Sequence, residues 1–374
     1  MKKSLRVLII RNAYQQDAGG AEQYALNLAV ALRVAGHQPV LVTKVRKILD
    51  KCRQFGIPHI AGKWRDTQGW DRWYYLKYPL FTLWYMYIIL WHRIDVVHPQ
   101  SRDDFVFATR AAHILGRRVV WTDHSDLKYI LNAVNHYNPR MRGWIIKASK
   151  HVSAIVCASQ SEKHSIEAVA PDLPKLTVIH NGVFVPENVH PVEKTNDLVV
   201  GTNARLVPAK GIAELLEGFA GLKTKKADLW LLGGVSGNEA KYRRLTAKLE
   251  VSKQVHFLNY VNNPNDYVAA MDIFVHASYH EAFSLAIIEA AMLGKPIIAT
   301  NVGGTSEIID EKCGILIEPK SPEAITEAIK TFIKDKPARE KLGQAAQKKA
   351  MYAFDFQKTV ERKIIPLYLK STSA

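Results

Sequence analysis

The chain has 374 residues, long for a single core and comfortable for two domains. Its 48% apolar and 23% charged residues exclude a disordered chain, and 51 Lys and Arg against 35 Asp and Glu point to an anionic partner. Among such partners nucleic acid ranks behind an anionic membrane or anionic small substrates, because no zinc-finger spacing or aromatic RNA-binding motif occurs.

Cys52, Cys157 and Cys313 are few, odd in number and far apart, so they read as free thiols of a reducing compartment. The opening Lys2-Lys3-Ser4 and the apolar run after it superficially match a secretion signal. That run is too short, and Arg11, Asn12 and Gln15 follow at once; a first strand in a cytosolic protein is expected.

In chain order, Leu5–Ile10 is predicted as a buried strand and Arg11–Gly20 as a loop ending in Gly19-Gly20. Ala21–Ala35 is a helix stopped by Gly36, and Pro39–Lys44 is a second strand. An aromatic region follows. In it Trp64, Trp70, Trp73, Tyr74, Tyr75 and Tyr78 alternate with Lys63, Arg65, Arg72 and Lys77, as an interfacial or acceptor-binding surface would; a core reading is equally open. The apolar run Tyr78–Trp91 is too short to span a bilayer, and residues 79–91 are expected as a buried helix.

The alternation continues with strand Asp95–His98, helix Phe105–Leu115, strand Arg118–Thr122, helix Met141–Lys150 and strands Ala154–Ala158 and Leu176–Ile179. Asn181–Asp197 carries Gly182, Pro186 and Pro191 and reads as a break. Beyond it come strand Leu198–Asn203, helix Gly211–Leu222, strand Leu229–Leu232, helix Tyr242–Glu250, strand Val255–Leu258, helix Asn265–Met271 and strand Ile273–Ala277. A helical region begins at Pro322. Such alternation predicts two doubly wound parallel sheets, and ligands of these sheets sit beyond the carboxyl ends of the strands. Two sheets facing across a cleft are therefore expected.

The richest segment is Tyr279–Thr300. Glu281 precedes a helix and Glu289 lies within it, eight positions on; the rest of Leu285–Leu293 is apolar. A helix apolar all round is normally buried, and a buried carboxylate is costly without a partner. Glu289 therefore either bonds internally or faces a ligand. Phe283, Ser284 and Leu285 stand at the helix start, where backbone N–H groups and the positive dipole end favour an anion.

Three further candidates carry weaker signals. Gly19-Gly20-Ala21-Glu22 opens a helix and permits close approach of a phosphate, or is a plain tight turn; it is not the G-x-G-x-x-G fingerprint of dinucleotide enzymes. Arg205 and Lys210 flank a loop after a strand, able to neutralise a pyrophosphate or simply solvated. His124 follows an apolar strand; a lone histidine is more often structural. Asp123 and Asp126 beside it read as loop and capping residues, and His98 as outside the site.

Taken together these motifs resemble the retaining glycosyltransferases of GT-B fold, family 4. Glu281 and Glu289 match the family's E-x7-E spacing, with Phe283-Ser284-Leu285 and Gly303-Gly304 in register. Gly19–Glu22 is similar to its GG-x-E loop, and Ala204–Gly211 to its G-R-L-x-x-x-K-G pattern with Ala204 for the usual glycine. His124 is similar to the histidine near the donor sugar, and Asn181-Gly182-Val183 falls in family order. Phe184 departs, standing where many relatives have Asp.

The resemblance implies a domain 1–182, a linker 183–197, a nucleotide-sugar domain 198–351 and a segment 352–374 returning to the first domain. It implies ribose binding by Glu289 and base contacts around Asn259–Val261. Gly19 and Gly20 would serve the donor. Arg205, Lys210, Gly20 and the N–H groups of Phe283, Ser284 and Leu285 would hold the diphosphate; Glu281 and His124 would orient the sugar. No cofactor or metal is expected. The implied partners are a nucleotide sugar, with UDP-hexoses first and GDP-mannose second, and a glycan or lipid-linked acceptor of bacterial cell-surface polysaccharide or lipopolysaccharide synthesis. Peripheral attachment to the inner face of the membrane is a further expectation. Rival readings are a catalytically degenerate sugar-nucleotide-binding or scaffold protein and a basic membrane- or nucleic-acid-binding module.

Overall fold

The aliphatic runs become strands because a parallel strand covered on both faces needs apolar side chains pointing both ways. The computed structural model describes residues 4–12, 19–63, 72–124, 127–132, 138–234 and 237–369, with residues 72–77 as backbone only. The chain divides into two compact units. The first runs to His180 and resumes at Phe356; the second is Asn181–Asp355. The segment 183–197, expected as a linker, counts with the second unit, and the return begins at 356, not 352.

In the first unit the elements are β1 (Arg6–Arg11), α1 (Gly20–Val34), β2 (Gln38–Thr43), α2 (Arg46–Gln54), β3 (His59–Ala61), α3 (Arg72–Trp91) and β4 (Val96–Pro99). They continue with α4 (Arg102–Ile114), β5 (Arg118–Thr122), α5 (Leu127–Leu131), α6 (Pro139–Ser149), β6 (Ala154–Cys157), α7 (Gln160–Val169) and β7 (Leu176–Val178). The sheet order is β3-β2-β1-β4-β5-β6-β7, with parallel pairing throughout. Leu8, Ile10, Val97, Val119, Phe105, Phe107 and Trp121 centre its core.

The second unit comprises β8 (Leu198–Asn203), α8 (Ile212–Ala220), β9 (Ala227–Leu232), α9 (Glu239–Lys248), β10 (Val255–Asn259), α10 (Pro264–Ala270) and β11 (Ile273–His276). Then follow α11 (Leu285–Met292), β12 (Ile297–Thr300), α12 (Thr305–Ile308), β13 (Ile315–Ile317), α13 (Pro322–Lys334) and α14 (Lys336–Ala353). Its order, β10-β9-β8-β11-β12-β13, is again all parallel. Each sheet thus winds outward in both directions from its first strand, the doubly wound order.

The last described residues, α15 (Phe356–Thr359), a π-helical turn Val360–Ile364 and α16 (Ile365–Leu369), pack on the first unit. Phe356, Val360, Ile364 and Tyr368 are fully buried there. The Tyr368 carbonyl accepts from Arg118 at 2.7 Å, and its hydroxyl meets His98 Nδ1; His98 Nε2 contacts Thr122 Oγ1 at 2.7 Å. His98 is therefore a core histidine.

The run 79–91 departs from expectation. Its helix buries Tyr85, Ile88 and Ile89 but leaves Leu80, Leu83, Tyr87, Leu90 and Trp91 exposed. Trp64, Arg65 and Trp70 lie outside the described residues, as do the side chains of Arg72, Trp73, Tyr74, Tyr75 and Lys77.

Tyr368→Ala empties a filled site and strips His98 of a partner. It is expected to cost about 3–5 kcal/mol, the range for deleting a large buried ring, measured by chemical denaturation.

Candidate active site

A doubly wound sheet leaves an uncovered crevice where the strand order reverses, because the loops on either side run to opposite faces. In the second unit that point lies between β8 and β11. Asn203 ends β8 and His276 ends β11, so polar side chains emerge where the backbone cover thins.

The loop after β8 is clamped to the loop after β11. Gly211 adopts φ +62°, and a Cβ there would lie 2.0 Å from the Ala277 carbonyl oxygen. Only glycine permits this approach. The Tyr279 N–H donates to the Ala209 carbonyl at 2.9 Å, fixing the register of the two loops. Gly303, at φ +55°, lies closer still to the Glu281 carbonyl oxygen, where a Cβ would stand 1.6 Å away.

These clamps bring Lys210, His276 and Glu281 together. Glu281 Oε1 accepts from the Lys210 ammonium and from His276 Nε2 at 2.8 Å. Burial alone would raise the Glu281 pKa; the hydrogen bond and charge of His276 and those of Lys210 outweigh it and hold the carboxyl near 2. Ser278 and Ser284 hydroxyls stand 3.0 and 3.2 Å from the same His276 nitrogen. Lys210 and Glu281, expected to serve different parts of a ligand, form one ion pair. His276 was missed by sequence reasoning. Its position at a strand's carboxyl end, five residues before Glu281, is the signal that marks it.

Glu289 has the opposite environment. The α11 helix is not buried all round: Leu285, Ala286 and Glu289 lie on a partly exposed side, while Ile287, Ile288, Ala290 and Ala291 are buried. The side-chain partner of Glu289 is Asn203 Nδ2, 3.4 Å from its Oε2. Desolvation by the surrounding protein raises its pKa to about 7, and the Asn203 bond only partly offsets this. Asn203 was also missed; it is the first amide after an apolar strand.

Ser284 caps α11, its hydroxyl accepting from the Ile287 N–H at 3.4 Å. Phe283 and Ser284 are buried and Leu285 is partly exposed. The first N–H groups of the helix have no intrahelical acceptor. Arg205 is exposed; its carbonyl accepts from the Val207 N–H at 2.8 Å, which shapes the loop and leaves the guanidinium at the surface. Asn259 ends β10 at φ +52°, and its carbonyl accepts from Gly233 N–H at 3.0 Å. Asn203 and Asn259 both register with Leu232 of β9, two strand spacings apart, roughly 10 Å. Val261, two residues beyond, is partly exposed.

At the matching point of the first unit, Glu22 organises the Gly19-Gly20 turn. Its Oε2 accepts the Gly19 N–H at 3.0 Å and its Oε1 pairs with buried Arg11 at 2.9 Å. The Gly19 N–H is thus committed to Glu22; Gly20 is exposed. Arg11 also donates to the Gln100 carbonyl at 2.6 Å. His124 Nε2 lies 3.3 Å from Gln100 Oε1, and its ring packs edge-on against Tyr24 at 5.0 Å. Burial first, then the charge of Arg11, pushes the His124 pKa well below its ordinary value, so the ring is neutral at pH 7. Among the described residues both polar side-chain atoms of Asn12 and the Gln100 Nε2 are buried without hydrogen-bond partners, a donor and acceptor set suited to hydroxyl groups. Asp123 caps α5 through the Leu127 N–H at 3.0 Å, as expected; Asp126 lies outside the described residues.

Comparison with known proteins places the chain in a family. Residues 187–349 match the family described as Glycosyl transferases group 1, and residues 18–185 match Glycosyltransferase Family 4. The chain belongs to the GT-B glycosyltransferases of family 4. It is 24% identical over 345 residues to a subunit of the human phosphatidylinositol N-acetylglucosaminyltransferase, covering 87% of this chain and 68% of that protein. It is 30% identical over 226 residues to the capsular polysaccharide biosynthesis glycosyltransferase CapM of Staphylococcus aureus, 54% of this chain and 58% of that one. The fold matches that of Anabaena Alr3699/HepE, solved in complex with UDP and glucose. The TM-score is 0.80 at 21% identity, covering 97% of this chain and 99% of the other.

Because the folded pKa of Glu289, about 7, exceeds the ordinary 4.5, the folded state binds this proton more tightly than the unfolded chain. Stability is therefore highest below the ordinary value and is lost as pH rises through the folded one. Glu289→Gln is expected to stabilise by up to about 3 kcal/mol at pH 8 and by little at pH 4.5, read from denaturation curves at the two pH values.

Proposed function

We propose that this protein transfers a hexose or N-acetylhexosamine from a nucleotide sugar to a glycan or lipid-linked glycan, with retention at the anomeric carbon. The observation that carries the reading is the juxtaposition at one strand switch point of the Asn203–Glu289 pair with the Lys210–Glu281–His276 cluster. Glu289, ionised, accepts hydrogen bonds from the ribose hydroxyls, and the base lies toward Asn259–Val261. Arg205, Lys210 and the first N–H groups of α11 receive the diphosphate. Glu281 holds the Lys210 ammonium in place and faces the sugar. The positive groups are aimed where negative charge grows as the glycosidic bond breaks, which stabilises the departing diphosphate without a metal ion. The leaving phosphate oxygen takes the acceptor proton, so the acceptor enters on the face the nucleotide leaves. A uridine donor is favoured by the UDP bound to Alr3699/HepE, with GDP-mannose second. A cell-surface polysaccharide, lipopolysaccharide or other lipid-linked acceptor is favoured by the names of CapM and the human phosphatidylinositol-modifying relative.

A thermal-shift screen of nucleotide sugars, followed by a transfer assay in excess chelator with product anomers read by NMR, tests this reading. Arg205→Ala is expected to abolish turnover with the fold intact. Strict dependence on added Mg²⁺ or Mn²⁺ together with an inert Arg205→Ala change overturns the account. Binding without turnover in any donor–acceptor pair identifies the degenerate alternative.

Glu289→Ala is expected to weaken the free nucleoside diphosphate by about 1–3 kcal/mol, measured by calorimetry. Unchanged affinity assigns Glu289 a structural role only.

A further inference from the structure

On α3, Leu80, Leu83, Tyr87, Leu90 and Trp91 recur at helical spacing, and each is more than half exposed. They form a ridge of about 17 Å along a helix that rises 1.5 Å per residue. The opposite side of the helix is seated in the core through Tyr85, Ile88 and Ile89. An exposed contiguous apolar ridge on a folded domain marks a surface that something covers.

The neighbouring helices say what. The α4 helix packs between α3 and α6. Tyr78 joins all three, its ring meeting Phe107 at 5.0 Å and Trp144 at 4.5 Å beneath the Arg110 guanidinium at 5.0 Å. The exposed positions of α4 include Arg110, His113 and Ile114; those of α6 include Ile146 and Lys147, with Lys150 just beyond. The three helices carry no Asp or Glu except Asp103 and Asp104, and both of these are buried. Lys63 stands over the Trp84 ring at 5.8 Å, and Tyr87 stacks on Trp91 at 5.8 Å.

We propose that the α3–α4–α6 face docks reversibly on an anionic lipid bilayer. The α3 ridge enters the boundary between headgroups and acyl chains, and the cations of α4 and α6 pair with lipid phosphates. Apolar and aromatic side chains beside cations of one sign fit that boundary, whereas a protein surface would have to present acidic groups and an apolar groove together. Among the described residues no helix is long and apolar enough to cross a membrane, so attachment is peripheral. This inference is independent of the donor and acceptor chemistry, since binding to vesicles needs no substrate.

Flotation of the full chain with vesicles of phosphatidylcholine containing about one third phosphatidylglycerol, at low and high salt, tests it. The wild type is expected to float at low salt and to be released at high salt. Leu83→Ser with Tyr87→Ser is expected to reduce the bound fraction at least about tenfold, since each buried CH₂ contributes about 0.8 kcal/mol. Lys147→Glu and Lys150→Glu are expected to weaken partition by about fivefold or more per cation. These positions are exposed, and melting curves verify the fold of each variant. A wild type that ignores the vesicles at low salt overturns the proposal, as does binding that neither pair of changes reduces. So does a self-associated wild type that ignores vesicles and that Leu83→Ser with Tyr87→Ser converts to monomer; a second copy then covers the ridge.

Discussion

The reversal of strand order in each sheet is the constraint from which the candidate site follows. Right-handed crossovers on either side of the first strand carry the chain to opposite faces, so no connection covers the carboxyl ends of β8 and β11. Side chains there lack the apolar packing that fills the rest of the sheet. Asn203 and His276 occupy these ends in the second unit; Asn12, following β1, and Gln100, following β4, occupy them in the first. Topology selects the place, and glycine then sets the fine geometry. With a side chain at position 211, the Ala277 carbonyl would have to move and Lys210 would lose its register against Glu281.

Much of this was legible in the sequence for a simple reason. Fully buried parallel strands are continuous aliphatic runs, so β1, β5, β8 and β11 stand out, and the resemblance supplied the spacing of Glu281, Glu289, Arg205 and Lys210. Elements with few buried positions were not visible. The α2 helix buries only Ile48 and Cys52, and β3 and β13 have three residues each. The α7 helix had a usable signal that was passed over. Ser159 accepts the Glu162 N–H at 3.0 Å while Glu162 accepts the Ala158 N–H at 2.8 Å, a capping arrangement written as S-x-x-E. For α3 the composition misled. Apolar residues on both sides of a helix imply burial on both sides, yet among the described residues only one side has a partner element.

The two glutamates show how far environment, and not residue type, decides chemistry. Glu281 and Glu289 belong to one short segment, yet burial acts on both and wins only at Glu289. Two positively disposed groups offset it at Glu281. A single amide at 3.4 Å does not at Glu289. Glu281 is therefore a fixed anion, completed inside the fold and suited to holding Lys210 in one orientation. Glu289 is left incomplete, with a carboxyl whose remaining hydrogen-bond donors must come from outside.

Incompleteness of that kind carries a thermodynamic meaning. A fold optimised for stability alone would place an amide or an apolar group at position 289, where an ionised carboxyl is penalised near neutral pH. Sites that bind hydroxyl-rich ligands accept such a penalty, because the same desolvation strengthens each hydrogen bond the ligand brings. The Asn12 and Gln100 atoms of the first unit, unpartnered among the described residues, carry the same mark in neutral form. In both units, then, polar groups that the described residues leave incompletely satisfied lie at a switch point of the sheet.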